Sequence, residues 1–259
     1  MLDITPIPAF ADNYIWMIRN ADSSHVAFVD PGEAHRVIQR VEAEQLIPVA
    51  ILITHHHGDH IGGVRQLLER FPDIKVYGPA NESITAISHK LKEGDRVELP
   101  ELNARFQVLD VPGHTRGHIA YYGHDALFCG DTLFACGCGR LFEGTAEQME
   151  RSLSKIAALP PNTLVYCAHE YTLDNIGFAK WVEPNNEDLM LRDEMDMARQ
   201  EKGVPTVPST LDQELKTNPF LRYKVPEVKQ AVENHVGRTL KTDAEVFGAI
   251  REWKDSEYD

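Results

Sequence analysis

The sequence predicts an α/β body followed by a helical C-terminal region. Residues 49–53 form an apolar, largely β-branched run, which is typical of a strand buried on both faces of a sheet covered by helices. An amphipathic helix is predicted over 62–71, after a short polar segment that follows this strand, because apolar side chains recur at the helical spacing from Val64 to Phe71. After residue 172 the composition changes and no strand pattern follows, which predicts helices alone.

The other elements of the α/β body follow from shorter patterns. Strands over 14–18 and 26–29 are predicted to form a hairpin, and a helix over 33–46 has its apolar residues on one face. Residues 80–95 are expected to be irregular with a short helix, and a capping box at Thr145 starts a helix that ends near residue 159. The remaining strands are predicted over 74–77, 96–99, 105–111, 119–122, 126–129 and 163–167.

The C-terminal region is predicted to contain several helices, one of which starts at a capping box on Thr242. The first of them is acidic and has Leu191 and Met195 on its apolar face. We therefore predict two domains, an α/β domain over 1–172 and a helical domain over 173–259. The predicted C-terminal helices cover 186–202, 209–217, 226–236 and 242–253.

Charge and composition exclude several classes of protein. The net charge of −14 argues against a nucleic-acid partner, whose affinity depends on Lys and Arg, and requires a local basic pocket for any anionic substrate. No apolar run is long enough to span a membrane, and the N-terminal segment lacks the features of a signal peptide. The four cysteines form no CxxC pair, and Cys136 and Cys138 are interpreted as buried thiols rather than a soft-metal site. A cytoplasmic monomer is expected.

A dense cluster of metal-binding side chains follows the central strand, in the sequence His55-His56-His57-Gly58-Asp59-His60. Imidazole and carboxylate are the ligands that borderline-hard divalent metals prefer. His55 and His57 can point the same way in an extended turn, whereas Asp59 and His60 follow as the chain enters the helix and point elsewhere. This spacing predicts two adjacent metal ions rather than one.

Three other predicted strands end close to a further ligand, namely His114, Asp131 and His169. We expect His55, His57 and His114 to hold one metal, Asp59, His60 and His169 the other, and Asp131 to bridge both. Asp59 and Asp131 would then be catalytic, because they hold the bridging hydroxide in a site whose net charge is about +1. Asp30 and His118 are expected to support the ligands from outside, and His56 to be structural.

The absence of a Gly-x-Ser-x-Gly elbow and of a Cys–His pairing leaves metal-bound hydroxide as the nucleophile. The predicted reaction is therefore hydrolysis of an acyl or phosphoryl bond. Zinc is the first choice of metal, with iron and manganese as alternatives that the same ligands accept.

These motifs resemble the metallo-β-lactamase superfamily and, more closely, the glyoxalase II (hydroxyacylglutathione hydrolase) family. The more specific resemblance lies in the segments 136–145 and 218–222. It implies an αββα sandwich with a helical C-terminal domain that helps to bind glutathione. It also implies cleavage of S-D-lactoylglutathione, and of related S-2-hydroxyacylglutathiones, to D-lactate and glutathione, as the second step of methylglyoxal detoxification.

The resemblance also implies which residues bind glutathione. Arg140, Tyr171 and Arg222 match such positions of the family. Phe142 stands where the family often has a tyrosine, so a hydroxyl contact is lost there. Some members have a lysine three residues after the arginine, where this chain has valine, and Lys224 is the nearby candidate to replace it.

Four alternative functions are considered. A mononuclear-iron persulfide dioxygenase shares the histidine loop but would be an oxidoreductase. A nuclease of the same superfamily is disfavoured by the acidic charge and by the 218–222 segment. A β-lactamase would often have a cysteine where Asp131 stands, and a non-catalytic binding module would leave a complete ligand set without a function.

Overall fold

The computed structural model describes residues 2–21 and 23–258 of the chain. They fold as two compact units, and each unit is formed by two segments of the sequence. Within the described residues, the first unit lies in the segments 2–110 and 115–130, and the second lies in the segments 111–114 and 131–258. The prediction of an α/β body followed by helices is confirmed, since the described residues after 171 contain five α-helices, one π-helical segment and a single two-residue strand.

One six-stranded mixed sheet forms a large part of the first unit. Its strands lie side by side in chain order, with antiparallel pairing up to β3 and parallel pairing from β3 to β6. The predicted hairpin of β2 and β3 and the predicted central strand β4 are confirmed. The strands are β1 (Leu2–Ala9), β2 (Asn13–Asn20), β3 (His25–Val29), β4 (Ile47–Leu52), β5 (Lys75–Pro79) and β6 (His89–Leu91).

Three helices of the first unit contribute to its core. They are α1 (His35–Glu44), the short α2 (Gly58–Ile61) and α3 (Val64–Arg70). α1 and α3 bury their apolar faces in the same cluster as Ile15, Phe28 and Ile51 of the sheet. The parallel strand order and this helical cover explain why the residues of β4 near its end are fully buried.

A second, antiparallel set of strands completes the first unit. It contains β7 (Arg96–Leu99), β8 (Ala104–Asp110), β9 (Ile119–Gly123) and β10 (Ala126–Gly130). Tyr121 in β9 donates its hydroxyl hydrogen to the carbonyl of Ile53 at 2.7 Å, and the amide of Ile119 donates to Thr54 at 3.0 Å. Both bonds hold the chain directly after β4, where the histidine cluster begins.

The expected short helix within residues 80–95 is wrong. That segment contains turns and β6, whose backbone pairs in parallel with the exposed edge of β5, where Tyr77 lies opposite His89. The hydrogen bonds available at this sheet edge outweigh the weak local helix preference of a short polar segment.

The second unit contains six α-helices, a π-helical segment over Lys254–Tyr258, two short hairpin strands and one further strand pair, within the described residues. The predicted capping boxes at Thr145 and Thr242 are confirmed. The strands are β11 (Leu133–Phe134), β12 (Gly137–Cys138), β13 (Leu164–Cys167) and β14 (Ser209–Thr210). The helices are α4 (Ala146–Ala157), α5 (Thr172–Val182), α6 (Glu187–Glu201), α7 (Leu211–Thr217), α8 (Pro226–Val236) and α9 (Asp243–Trp253).

Two expectations for the C-terminal helices are wrong. Residues 209 and 210 form β14, and α7 starts only after the cap at Thr210. The apolar face predicted for α6 is solvent-exposed at Leu191 and Met195, and Arg192 is buried instead. Arg192 is buried because it donates to Glu214 at 2.7 Å, and a buried guanidinium requires such a partner.

No helix among residues 2–21 and 23–258 has the length and apolar character needed to cross a lipid bilayer. All four cysteines are buried, and none of them forms a disulfide bond.

Candidate functional site

The first set of predicted ligands lies in the first unit, between the end of β4 and α2. His55 is fully buried and follows Thr54 directly, and His57 is the extended residue before α2. Asp59 and His60 lie on α2 itself, with His60 fully buried and Asp59 partly exposed. The short helix therefore turns the last two side chains away from the direction of the extended segment.

Asp30 organises this loop from the end of β3. Its carboxylate accepts hydrogen bonds from the amide of Thr54 at 2.8 Å and from the Thr54 hydroxyl at 2.7 Å. It also accepts from Nδ1 of His60 at 3.0 Å. Because the proton of His60 lies on Nδ1, its Nε2 presents a lone pair, and this nitrogen is 3.4 Å from Oδ2 of Asp59.

The same argument fixes the tautomer of His55. The Thr54 hydroxyl gives its hydrogen to Asp30, so it accepts the proton on Nδ1 of His55 at 3.0 Å. Nε2 of His55 then presents a lone pair and lies 3.1 Å from Nδ1 of His57. The ring of His118 stacks on that of His55, with centroids 4.5 Å apart, and fixes its orientation.

Two residues of the first unit were missed by the sequence analysis. Asn13 is buried in β2 and donates from Nδ2 to Oδ2 of Asp59 at 3.0 Å. Glu82 is buried in the segment before β6 and accepts from Nδ1 of His56 at 2.9 Å and from the Thr115 hydroxyl. Neither has a periodic or spacing signal, although Asn13 stands in a segment that the resemblance covers.

The second set of predicted ligands lies in the second unit. Oδ2 of Asp131 is 3.5 Å from Nε2 of His114 and 3.4 Å from Nε2 of His169. Nδ1 of His114 donates to the carbonyl of Arg140 at 2.9 Å, so Nε2 carries the lone pair. One carboxylate oxygen therefore lies between two imidazoles, although the three residues are far apart in the sequence.

Aromatic rings surround the second set. Tyr171 stacks on His169 with centroids 4.8 Å apart, and the ring of Phe134 meets both of them nearly at right angles. Phe142 is largely exposed and lies edge-on to His114, at 5.2 Å. Phe134 was not predicted as a site residue, because a single apolar residue in an apolar segment gives no functional signal.

The predicted substrate-binding cations all contact carboxylates of the second unit. Nε of Arg140 lies 3.6 Å from Asp255, and half of the Arg140 side chain is exposed. Lys224 is exposed and lies 3.3 Å from Asp243. Arg222 is held more firmly, since it donates from Nε and Nη2 to Glu183 at 2.8 and 2.9 Å.

Arg222 makes one further hydrogen bond, from Nη1 to the carbonyl of Leu215 at 3.2 Å. Three of its five N–H groups are therefore used within the described part of the second unit. Its side chain also lines a groove of about 710 Å³, together with Glu183, Gln230 and Asn234. The guanidinium is thus fixed in place at the wall of an open groove.

The donor chemistry of both sets fits a divalent metal. Lone pairs on Nε2 of His60 and His114 each lie within 3.5 Å of a carboxylate oxygen, and such acceptor pairs need a cation or a proton between them. Each of these imidazoles also has the outer hydrogen bond that is typical of a metal-bound histidine. All seven predicted ligands are among the side chains able to hold a metal ion.

Comparison with known families gives two matches that together cover most of the chain. The sequence pattern of the family described as the metallo-beta-lactamase superfamily matches residues 11–169. The sequence pattern of the family described as the hydroxyacylglutathione hydrolase C-terminus matches residues 170–257.

Individual relatives agree with these matches. A hydroxyacylglutathione hydrolase of Nitrosomonas eutropha is 51% identical over 99% of this chain and 99% of its own. The crystal structure of ETHE1 from Myxococcus xanthus is 25% identical with a TM-score of 0.67, covering 97% of this chain and 90% of that one. The structure of TTHA1623 in a di-iron-bound form is 26% identical with a TM-score of 0.60, covering 84% of this chain and 100% of that one.

Proposed function

This chain belongs to the hydroxyacylglutathione hydrolase family of the metallo-beta-lactamase superfamily, and we propose that it cleaves S-D-lactoylglutathione to D-lactate and glutathione. It is an enzyme, a thioester hydrolase with the metallo-beta-lactamase fold and a helical C-terminal region. The observation that carries the assignment is the sequence identity of 51% to a curated hydroxyacylglutathione hydrolase, over 99% of this chain. Related S-2-hydroxyacylglutathiones are proposed as further substrates, and methylglyoxal detoxification as the pathway.

The protein binds divalent metal, as its superfamily and its His/Asp ligands indicate. We propose two ions per chain, the first held by His55, His57 and His114, the second by Asp59, His60 and His169, and both by Asp131. A structural relative that was crystallised in a di-iron form supports two ions. Zinc is proposed first, and iron or manganese would suit the same ligands. When bound, such ions lower the pKa of water and stabilise negative charge on a carbonyl oxygen.

The residues of the chain position these ligands and the attacking water. Asp30 fixes the proton of His60 on Nδ1, and the carbonyl of Arg140 does the same for His114. Asn13 holds the carboxylate of Asp59. We propose that Asp59 and Asp131 accept hydrogen bonds from the attacking water and orient it toward the thioester carbonyl, which makes them the catalytic residues.

We propose that the glutathione part of the substrate contacts Arg140, Phe142, Tyr171 and Arg222. Arg140 is half exposed and can turn from Asp255 toward a substrate carboxylate. Arg222 retains two N–H groups for a ligand, and Glu183 holds it in a fixed orientation. Lys224 is proposed only as an accessory cation, because it is exposed and lies among acidic side chains.

We further propose a monomeric protein in the cytoplasm. A reducing compartment suits four buried cysteines that form no disulfide bond. The mononuclear-iron persulfide dioxygenase is the alternative function, and the full-length relatives named as hydroxyacylglutathione hydrolases favour the thioesterase over it.

One sample can test both functions and the metal content. Purified protein is analysed for zinc, iron and manganese, and the same sample is assayed with S-D-lactoylglutathione. We expect two metal ions per chain and release of glutathione thiol without oxygen consumption. When the reaction is run under single-turnover conditions in water labelled with a heavy oxygen isotope, the labelled oxygen should appear directly in the carboxylate of lactate. Oxygen uptake with a glutathione persulfide, or label in a protein side chain, would contradict the proposal.

A further inference from the structure

The hairpin of β11 and β12 is held by side chains from three helices of the second unit. We call it the ligand hairpin, residues 133–138, because it follows Asp131 and precedes Arg140. Asn218, directly after α7, donates from Nδ2 to the carbonyls of Phe134 at 3.2 Å and Gly137 at 3.0 Å. Asn175 of α5 donates to the carbonyl of Ala135 at 3.0 Å.

The other two contacts involve charged groups. Glu214 of α7 accepts from the amide of Cys136 at 2.8 Å, and Arg251 of α9 donates to the carbonyl of Cys138 at 3.0 Å. Asn175, Glu214, Asn218 and Arg251 together form what we call the clamp. Every residue from 134 to 138 thus has a backbone group bound by a clamp side chain.

The clamp is buried, which makes its hydrogen bonds specific. Glu214 and Asn218 are fully buried, and Asn175 and Arg251 are almost so. A buried donor or acceptor without its partner is costly, so the hairpin backbone has one favoured position against these side chains. Glu214 is in turn held by Arg192, which donates to it at 2.7 Å. Cys136, at the turn, has φ of +59°, a conformation that this outside support stabilises.

The ligand hairpin contacts His169, and the two residues that follow the hairpin contact His114. Its Phe134 ring lies against His169 and Tyr171, at centroid distances of 5.7 and 5.3 Å. After the hairpin, Gly139 passes so close to His114 that a Cβ there would lie 3.0 Å from Nδ1. The next residue, Arg140, accepts the proton of that same nitrogen through its carbonyl. Displacement of the hairpin would therefore move the supports of His114 and His169 together.

We propose that the clamp, with Asn218 at its centre, positions His114 and His169 through the ligand hairpin. These are positioning residues, since their hydrogen bonds to the backbone of the hairpin act on His114 and His169 through that backbone. The inference rests on the proposed metal-binding roles of His114 and His169. It assigns to the helices after residue 171 a task besides substrate binding, which is to set the geometry of the second ligand set.

The test uses the full-length protein reconstituted with zinc. Asn218→Asp keeps the shape and the acceptor for the Phe220 amide but removes both donors to the hairpin. It also replaces the donor to Glu214, at 3.1 Å, by a carboxylate, which loosens the clamp at a second point. We expect zinc affinity, measured by competition with a chromogenic chelator, to fall about 10- to 100-fold, as for other outer partners of metal ligands. The kcat for S-D-lactoylglutathione should fall by a similar factor at saturating substrate.

The matched control is Asn186→Ala. Asn186 caps α6 and donates to the carbonyl of Lys216 at 2.9 Å, but it does not contact the hairpin among the described hydrogen bonds. Its loss should lower the melting temperature and leave zinc affinity and kcat unchanged. If Asn218→Asp lowers only the melting temperature, as the control does, the clamp is merely structural and the inference is wrong.

Two further variants keep the test decisive. If Asn218→Asp does not fold, Asn175→Ala removes a single clamp bond, and its zinc affinity should still fall below that of Asn186→Ala. Equal zinc affinities for these two variants would overturn the inference. His169→Ala tests the premise separately, because unchanged zinc content there would refute the proposed ligand set rather than the clamp.

Discussion

The two units hold their candidate ligands in different ways. In the first unit all four ligands lie between His55 and His60, and Asp30 and Thr54 set the direction of two of them. In the second unit His114, Asp131 and His169 come from distant segments, and long-range contacts to Arg140 and to Phe134 of the ligand hairpin support the two histidines. The geometry of ligands that lie in one short segment is set by neighbouring residues, whereas the geometry of ligands from distant segments depends on the packing of the whole unit.

The largest expected effect comes from the residue that is proposed to serve both metals. Asp131→Ala should remove both ions and lower kcat/KM on the order of a thousandfold, because the charge that holds the site together is lost. His169→Ala should mainly reduce the occupancy of one ion. Metal analysis and the thioester assay on each variant measure this difference. Two ions and near-normal turnover in Asp131→Ala would refute the dinuclear assignment.

The next effect tests whether the first set depends on its local support. Asp30→Asn weakens three hydrogen bonds, to the Thr54 amide, the Thr54 hydroxyl and His60. Zinc affinity should fall about 10- to 100-fold. Asp95→Asn is the matched control, because this partly exposed carboxylate also accepts from a backbone amide, that of Lys92. Equal zinc affinities of the two variants would show that Asp30 does not support the ligand.

A smaller effect separates the two arginines proposed for glutathione. Loss of a charge-assisted bond to a substrate carboxylate costs about 1.5–3 kcal/mol, so Arg140→Ala and Arg222→Ala should each raise KM about ten- to a hundredfold. Arg222→Ala should also lower the melting temperature, because it leaves the buried Glu183 carboxylate without its partner. A small thioester without the glutathione tail serves as the control substrate. An unchanged KM in Arg222→Ala would make that arginine purely structural.

The smallest effect concerns the thiols of the ligand hairpin. Burial raises the pKa of Cys136 to about 12 and that of Cys138 to about 11. An unfolded thiol ionises at about pH 8.5, so the unfolded state binds fewer protons than the folded state above that pH. The contribution of each thiol to the free energy of unfolding should therefore be constant below about pH 8.5. Above that pH it should fall by up to about 1.4 kcal/mol per pH unit. Denaturant titrations of the wild type and Cys136→Ala between pH 8 and 10 measure this slope. An equal slope in both proteins would contradict the contribution of Cys136.

The sequence by itself determined the strands and helices whose patterns are strong. The buried strand β4, the amphipathic α3 and both capped helices needed only local spacing and capping chemistry. The histidine cluster was readable for the same reason, since its ligand types and spacing lie within one short segment. His114, Asp131 and His169 were found because each stands near the end of a predicted strand, and their roles as ligands remain predictions.

Only the tertiary structure decided which face of α6 is buried and which groups support the ligands. Periodicity favoured Leu191, but a buried partner at Glu214 makes Arg192 the inward residue, and no local pattern encodes a partner 22 positions away. The contact of Asn13 with Asp59 and that of Glu183 with Arg222 span 46 and 39 positions. Hydrogen bonds of this kind depend on where the packed elements meet, so the sequence names the chemical groups and the fold selects their partners.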